Sequence, residues 1–248
     1  MHRYVMPRQV KDRVLSRMGR AWADDTLEAV RTALVVVDMQ NYFVAEGFPA
    51  EVPMARQICP AINRMAEALR DAGGTVVWIQ TTKTGAHEHW RNFQTRMLTP
   101  ARQEARLAGL DEASEGYKLF AALEPAESDL FVKKIKYSAF IQNSSALDQE
   151  LRRRGIDMVL VAGTLTNVCC ESTARDAMLL DYRVAMLSDA NATLTDEEHA
   201  ATLNNFAVFF GDVLTVDEAS AKLVPASLRK AGRFAALKPR AIAVVRNT

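Results

Sequence analysis

Several things are scarce in this chain, and each scarcity excludes something. It has three cysteines, Cys59, Cys169 and Cys170, and two of these are adjacent. Such a set cannot form a disulfide framework and points to a reducing compartment. No apolar run approaches the ~20 residues of a membrane-spanning helix, and the N-terminus lacks the apolar core of a signal peptide. A cytoplasmic protein with no membrane partner is therefore expected. The formal net charge is only +1, which gives no field for a polyanion, so no nucleic-acid partner is expected. Histidine is also rare. His87 and His89 stand two apart in a polar stretch without a clear third ligand, which makes a solvated loop the better reading. No metal and no cofactor is expected.

What is present is ordinary globular material: 49% hydrophobic and 25% charged residues over 248 positions. No internal repeat or linker divides the chain. Thr32-Ala-Leu-Val-Val-Val-Asp38 is a continuous apolar run of the kind found in central parallel strands covered on both faces. A helix is predicted over 53–72, with Ile58, Ile62, Met65, Ala66 and Leu69 on one face, stopped by Gly73-Gly74. A second strand follows over 75–80 and a third over 130–133, after a long polar excursion, 81–118, whose length suggests a functional or subunit-contacting segment. Further strands are expected over 158–162, 183–187 and 212–216, with Asp189–Ala192 as a turn. The alternation of strand and helix defines an α/β fold. The expected division is a basic N-terminal arm over 1–31, one domain over 32–224 and a basic tail over 225–248.

The most informative stretch is Met158 to Ala177. A buried strand ends at Gly163, Thr166 and Asn167 are of the types that cap helices, and a helical pattern runs from Val168 to about Leu180. Cys169 thus falls in the first turn of a helix, where free N–H groups and the helix dipole favour a thiolate or hold an oxyanion. The plainer reading is a small buried hydrophobe. Asp38 lies at a strand's carboxyl end, where parallel sheets bind ligands. Lys133, Lys134 and Lys136 crowd the end of another strand. An acid, a lysine and a thiol at three strand ends suit covalent acyl transfer. The carboxylate moves the proton, the ammonium favours the thiolate, and the thiolate attacks a carbonyl. Within the doublet, Cys170 shares an apolar stripe with Ala174, Ala177 and Met178, so Cys169 is the expected nucleophile, with its pKa lowered by the lysine.

Three motifs in order carry a resemblance to a known family: Leu34-Val-Val-Val-Asp-Met-Gln-Asn-Tyr-Phe43, Lys134-Ile-Lys-Tyr-Ser-Ala-Phe140, and Gly163-Thr-Leu-Thr-Asn-Val-Cys-Cys-Glu-Ser-Thr-Ala-Arg-Asp-Ala177. Together they resemble the isochorismatase-like cysteine hydrolases over about 32–216. The resemblance implies a single Rossmann-like three-layer α/β/α domain with a six-stranded, mainly parallel sheet. It implies a triad of Asp38, Lys134 and Cys169, a cis peptide bond between Thr164 and Leu165, and an oxyanion hole from the amides of Leu165 and Cys169. Strand alternation agrees that only one of Lys133 and Lys134 can face Asp38. Gln40, Phe43, Trp90, Tyr137 and Asn167 are candidate substrate-binding residues. Family members that cleave vinyl ethers generally lack the cysteine, and the metal motif of the nicotinamidases is absent from Gln80–His89. The implied activity is cysteine-dependent hydrolysis of a small linear amide or ureido (N-carbamoyl) compound through a thioester, without metal. The region around Cys169 most resembles ureidoacrylate and related hydrolases. The alternatives are a vinyl-ether hydrolase and a non-catalytic binding protein. Family members are commonly homodimers or homotetramers, and the two basic arms suit an interchain contact.

Overall fold

The computed structural model describes residues 2–227, so the expected basic tail lies outside the described residues from 228 onward. In chain order the elements are α1 (Arg8–Met18), β1 (Leu27–Glu28), β2 (Thr32–Val37), α2 (Asn41–Val44), α3 (Ala55–Asp71) and β3 (Thr75–Thr81). Then come α4 (Ala86–His89), α5 (Pro100–Gly109), β4 (Leu130–Lys134), α6 (Leu147–Arg153) and β5 (Met158–Thr164). The chain continues with α7 (Glu171–Leu179), β6 (Arg183–Ala192), α8 (Asp196–Phe209), β7 (Asp212–Leu214), α9 (Val216–Lys222) and β8 (Leu223–Val224).

Six strands form one sheet in the order β4-β3-β2-β5-β6-β7, and every pairing is parallel. The apolar runs explain the centre: all residues of β2 and β5 are buried. A strand buried on both faces needs side chains that suit both layers, which is why these runs do not alternate. One layer of the core holds Ile58, Ile62, Met65 and Leu69 of α3 with Val216 and Ala219 of α9. The other holds Leu147 and Leu151 of α6, Ala174 and Ala177 of α7, and Leu203 and Phe206 of α8. The result is the expected α/β/α sandwich. β1 and β8 form a small parallel pair beside it.

Three elements differ from the sequence reading. Asp189–Ala192 is not a turn: β6 continues through it, and after a bulge Asn191 and Ala192 pair with Gly163 and Thr164. The Asn191 side chain makes this possible by donating to the carbonyls of Val161 and Leu187, 2.8 and 2.7 Å away. Residues 8–18 form a helix whose Val10 and Val14 are buried beside α8 residues, so the basic charges lie on the outer face of a packed element. The 81–118 excursion is also structured, carrying α4, a π-helical turn (Phe93–Met97) and α5.

Candidate active site

The site lies at the carboxyl ends of β2, β4 and β5. Asp38 follows β2 with φ +55, a left-handed conformation that aspartate tolerates better than most residues. β4 is not the neighbour of β2; β3 lies between them. Lys134 therefore reaches across the end of β3. Its Nζ lies 2.8 Å from Asp38 Oδ2 and donates to Thr81 Oγ1 at 2.7 Å and to the Lys136 carbonyl at 3.1 Å. Thr81 hands the chain on, donating to Asp38 Oδ1 at 2.8 Å. Both charged side chains are 1% exposed. The Lys134–Oδ2 approach has the distance of an ion pair but falls outside hydrogen-bond angles, so that buried oxygen keeps acceptor capacity. Lys133 points the opposite way on the strand, exposed and paired with Glu112, and Lys136 binds the Gln142 carbonyl at the surface.

Cys169 arrives from β5. Gly163 has φ +119, and a Cβ there would sit 2.1 Å from the Val37 carbonyl oxygen. Only glycine lets this strand press against the end of β2. The Thr164–Leu165 peptide bond is cis. A π-helical turn, Thr166–Cys170, then precedes α7, so Cys169 lies in a widened turn rather than the first turn of an α-helix. Thr166 and Asn167 do not cap it. Thr166 Oγ1 meets His199 Nδ1 at 2.9 Å, and Asn167 Oδ1 accepts from Thr193 Oγ1 at 2.6 Å.

The electrostatics correct one expectation. The Cys169 thiol is pushed up to about 12, not down, because burial outweighs the opposing pull of Lys134; the Asp38 charge and a hydrogen bond to it also hold the proton on sulfur. Burial lowers the Lys134 ammonium pKa, but Asp38 and Cys169 together outweigh it and the net shift is upward. Lys134 is thus paired with Asp38 beside a Cys169 whose proton is held on sulfur. Cys170 is fully buried, and burial likewise raises its thiol pKa well above the ordinary value.

A cavity of about 180 Å³ opens on these groups, lined by Phe43, Thr81, Phe93, Arg106, Lys134, Tyr137, Leu165, Val168 and Cys169. It is smaller than the roughly 300–1,000 Å³ of common ligand pockets, which suits a small substrate. Of the expected substrate-binding residues, Phe43 and Tyr137 line it and three do not. Gln40 is fully buried and spends its amide on the backbone of Thr81 and Tyr117. Trp90 stands behind the wall, stacked on Phe93 at 4.0 Å and edge-on to Tyr137 at 4.7 Å. Asn167 is turned to Thr193. His87 and His89 lie on α4, and among the described residues no group of three potential metal ligands occurs.

Phe93, Arg106 and Thr81 were not read from the sequence as site residues. Neither was the brace behind the turn that carries Cys169. His199 Nε2 contacts the Ser188 carbonyl at 3.1 Å, which leaves Nδ1 to accept from Thr166 in the neutral ring. Burial and the neighbouring His2 lower its pKa from the ordinary 6.5 to about 4. His2 stacks on His199 with ring centroids 4.5 Å apart, approaches Asp196 Oδ1 at 2.6 Å and accepts from the Thr193 amide at 3.0 Å. The N-terminal segment is thus tied to the same loop that holds Asn167.

The parallel sheet, with acid, lysine and thiol gathered at its carboxyl edge, is the arrangement expected of an isochorismatase-like hydrolase. The isochorismatase domain model matches residues 32–218, and the chain belongs to that family. Among characterised relatives, the ureidoacrylate amidohydrolase RutB of Variovorax paradoxus is 36% identical over 215 residues, covering 81% of this chain and 84% of the relative. Among solved structures, a cysteine hydrolase from Pseudomonas syringae pv. phaseolicola aligns with TM-score 0.72 at 29% identity, covering 83% of this chain and 98% of that one. The N-carbamoylsarcosine amidase of Thermoplasma acidophilum aligns with TM-score 0.59 at 25% identity, covering 75% and 97%.

Proposed function

We propose that this chain is a cysteine hydrolase that cleaves a C–N bond of a small ureido or amide compound. The observation that carries this reading is that Cys169 and Lys134 line one small cavity, with Asp38 held against Lys134 just behind its wall. The named activities of the RutB and N-carbamoylsarcosine amidase relatives support the same bond type.

The raised thiol pKa defines what the residues must do. A thiol at about 12 is not a standing nucleophile at neutral pH, so its proton must leave as attack occurs. Asp38 accepts it; Oδ1 is held by Thr81 while Oδ2 has acceptor capacity to spare. Lys134 then balances the negative charge that has moved onto sulfur. The thiolate attacks the carbonyl carbon, and the oxyanion is held by the amides of Leu165 and Cys169. When the tetrahedral species collapses, Asp38 returns the proton to the leaving nitrogen, which departs as an amine or ammonia. A water molecule deprotonated by the same carboxylate then releases the acyl or carbamoyl group from sulfur, restoring the thiol.

The test compares wild type with Cys169→Ala on a panel of ureido and amide compounds, following ammonia and amine release, with intact-mass detection of the enzyme adduct. Turnover by wild type, a covalent adduct, and loss of both in the variant are expected. Turnover of these compounds retained by Cys169→Ala would refute the role of the thiol, and turnover of a vinyl ether by both proteins but of no C–N compound would favour the vinyl-ether reading. A wild type that turns over neither C–N compounds nor vinyl ethers would favour a binding protein.

A further inference from the structure

We infer that Arg106 is the anchor for a carboxylate carried by the substrate, and that it selects acidic ureido or amide compounds over neutral ones. This rests on the hydrolytic reading above and deepens it by naming the substrate class.

The cavity wall holds two cations, Lys134 and Arg106. Lys134 is balanced by Asp38. Arg106 has no acid within ion-pair distance among the described residues. Two other cations of this region are paired, Lys83 with Asp111 and Lys133 with Glu112. Arg106 instead lies over the face of Phe93, its guanidinium carbon 5.3 Å from the ring centroid. Phe93 is itself stacked on Trp90, and both rings meet Tyr137 edge-on. This aromatic stack supports the half-buried guanidinium at the cavity without neutralising it. An Arg fork held in place, poorly hydrated and unpaired, is suited to bidentate binding of a carboxylate. Apart from Thr81, whose hydroxyl is engaged by Asp38 and Lys134, and Cys169, the rest of the wall is apolar or aromatic, through Phe43, Phe93, Tyr137, Leu165 and Val168. A substrate with its carbonyl at Cys169 and a carboxylate at Arg106 would leave the charge in this small site balanced. Arg106 is a specificity-determining residue on this account.

The experiment measures kcat/KM for ω-ureido carboxylates, such as 3-ureidopropionate, against alkylureas of the same length. Wild type is expected to favour the carboxylates. In Arg106→Gln the ratio of the two kcat/KM values should fall roughly 30- to 100-fold, the size of a lost charge-assisted hydrogen-bond pair. Arg106→Lys should keep part of the preference. An unchanged ratio in Arg106→Gln, or no preference in wild type, would overturn the inference. Binding is read separately by calorimetry with 3-ureidopropionate on Cys169→Ser, where adding Arg106→Gln should weaken the affinity by a similar factor. Equal affinity in the two proteins would overturn the anchor even where turnover is undetectable. Arg106-dependent binding with no turnover of any ureido compound would refute the hydrolytic reading while leaving the anchor in place.

Discussion

Replacing Asp38 by Asn removes one charge and almost no volume, and asparagine accepts the left-handed conformation at φ +55 as readily as aspartate. The backbone reason for unfolding is therefore absent, and what remains is electrostatic. Lys134 is 1% exposed, and its counter-charge is the Asp38 carboxylate at 2.8 Å. Without that charge the ammonium is buried with only Thr81 Oγ1 and the Lys136 carbonyl as acceptors. Removing one member of a buried ion pair typically costs about 3–5 kcal/mol, and Lys134 can limit the loss by releasing its proton. Asp38→Asn is thus expected to unfold at clearly lower urea concentration than wild type at pH 7. The activity loss should be far larger than any unfolded fraction explains, several orders of magnitude in kcat, because the proton acceptor has gone. The double variant Asp38→Asn with Lys134→Met separates the two effects. It should recover stability relative to Asp38→Asn alone, since the orphaned charge is removed, while remaining inactive. Urea titration by circular dichroism and ammonia release measure the two quantities. An Asp38→Asn protein as stable as wild type would refute the coupled pair, and one with wild-type kcat would refute the role of Asp38 as base.

Other expected outcomes follow from the same geometry. Lys133→Ala should keep activity within about threefold, since its side chain is exposed and bound to Glu112, whereas Lys134→Ala should be inactive; the reverse pattern would show that the strand faces are misassigned. Inactivation by iodoacetamide should rise about tenfold per pH unit between pH 6 and 9.5, because a thiol held up near 12 is mostly protonated throughout. A plateau near pH 7 would mean that Lys134 wins over burial after all. His199 is neutral when folded, with its pKa held near 4, and takes up a proton on unfolding below its ordinary 6.5. The unfolded chain binds more protons across this window. Stability should then fall by about 3 kcal/mol as pH drops from 6.5 to 4, and His199→Asn should flatten that slope. An equally steep slope in the variant would assign the acid sensitivity to other groups.

The fold was largely legible because the apolar runs at 32–37 and 158–164 are long, β-branched and bounded by turn residues, and such runs have few other uses. The candidate triad was legible for a related reason: Asp38 closes one such run, Cys169 stands in the turn just after the other, and pleating leaves only one of two adjacent lysines facing inward. Asp189–Ala192 was misread because its composition is that of a turn, while its conformation is set by a bulged pairing with Gly163 and Thr164, which no local pattern records. The direction of the Cys169 shift was misjudged because the sequence displays charges and not burial. Arg106 was invisible for a topological reason. It sits on a polar helix inside an excursion that carries no period of its own, and only the folded sheet brings it to the cavity that holds Cys169. Gln40 shows the converse error: a polar residue beside a site motif, wholly occupied in tying β3 to the chain after α5.

The strap formed by His2 has a consequence for the order in which the protein can be made. His2 leaves the ribosome about 190 residues before its partners Thr193 and Asp196, an interval of roughly ten to forty seconds at ordinary synthesis rates. During that interval β2, β3, β4 and β5 are all available, and the sheet that carries Asp38, Lys134 and Cys169 can begin to assemble. The turn bearing Cys169 nevertheless lacks its brace until α8 has emerged and the N-terminal segment has closed back onto it. Contacts of such long sequence separation form last, because the chain between them must first be ordered. The nascent protein therefore has Asp38, Lys134 and Cys169 in hand well before the turn that carries Cys169 is secured, and a thiol-reactive probe applied during translation is expected to meet a more open Cys169 than one applied to the finished molecule.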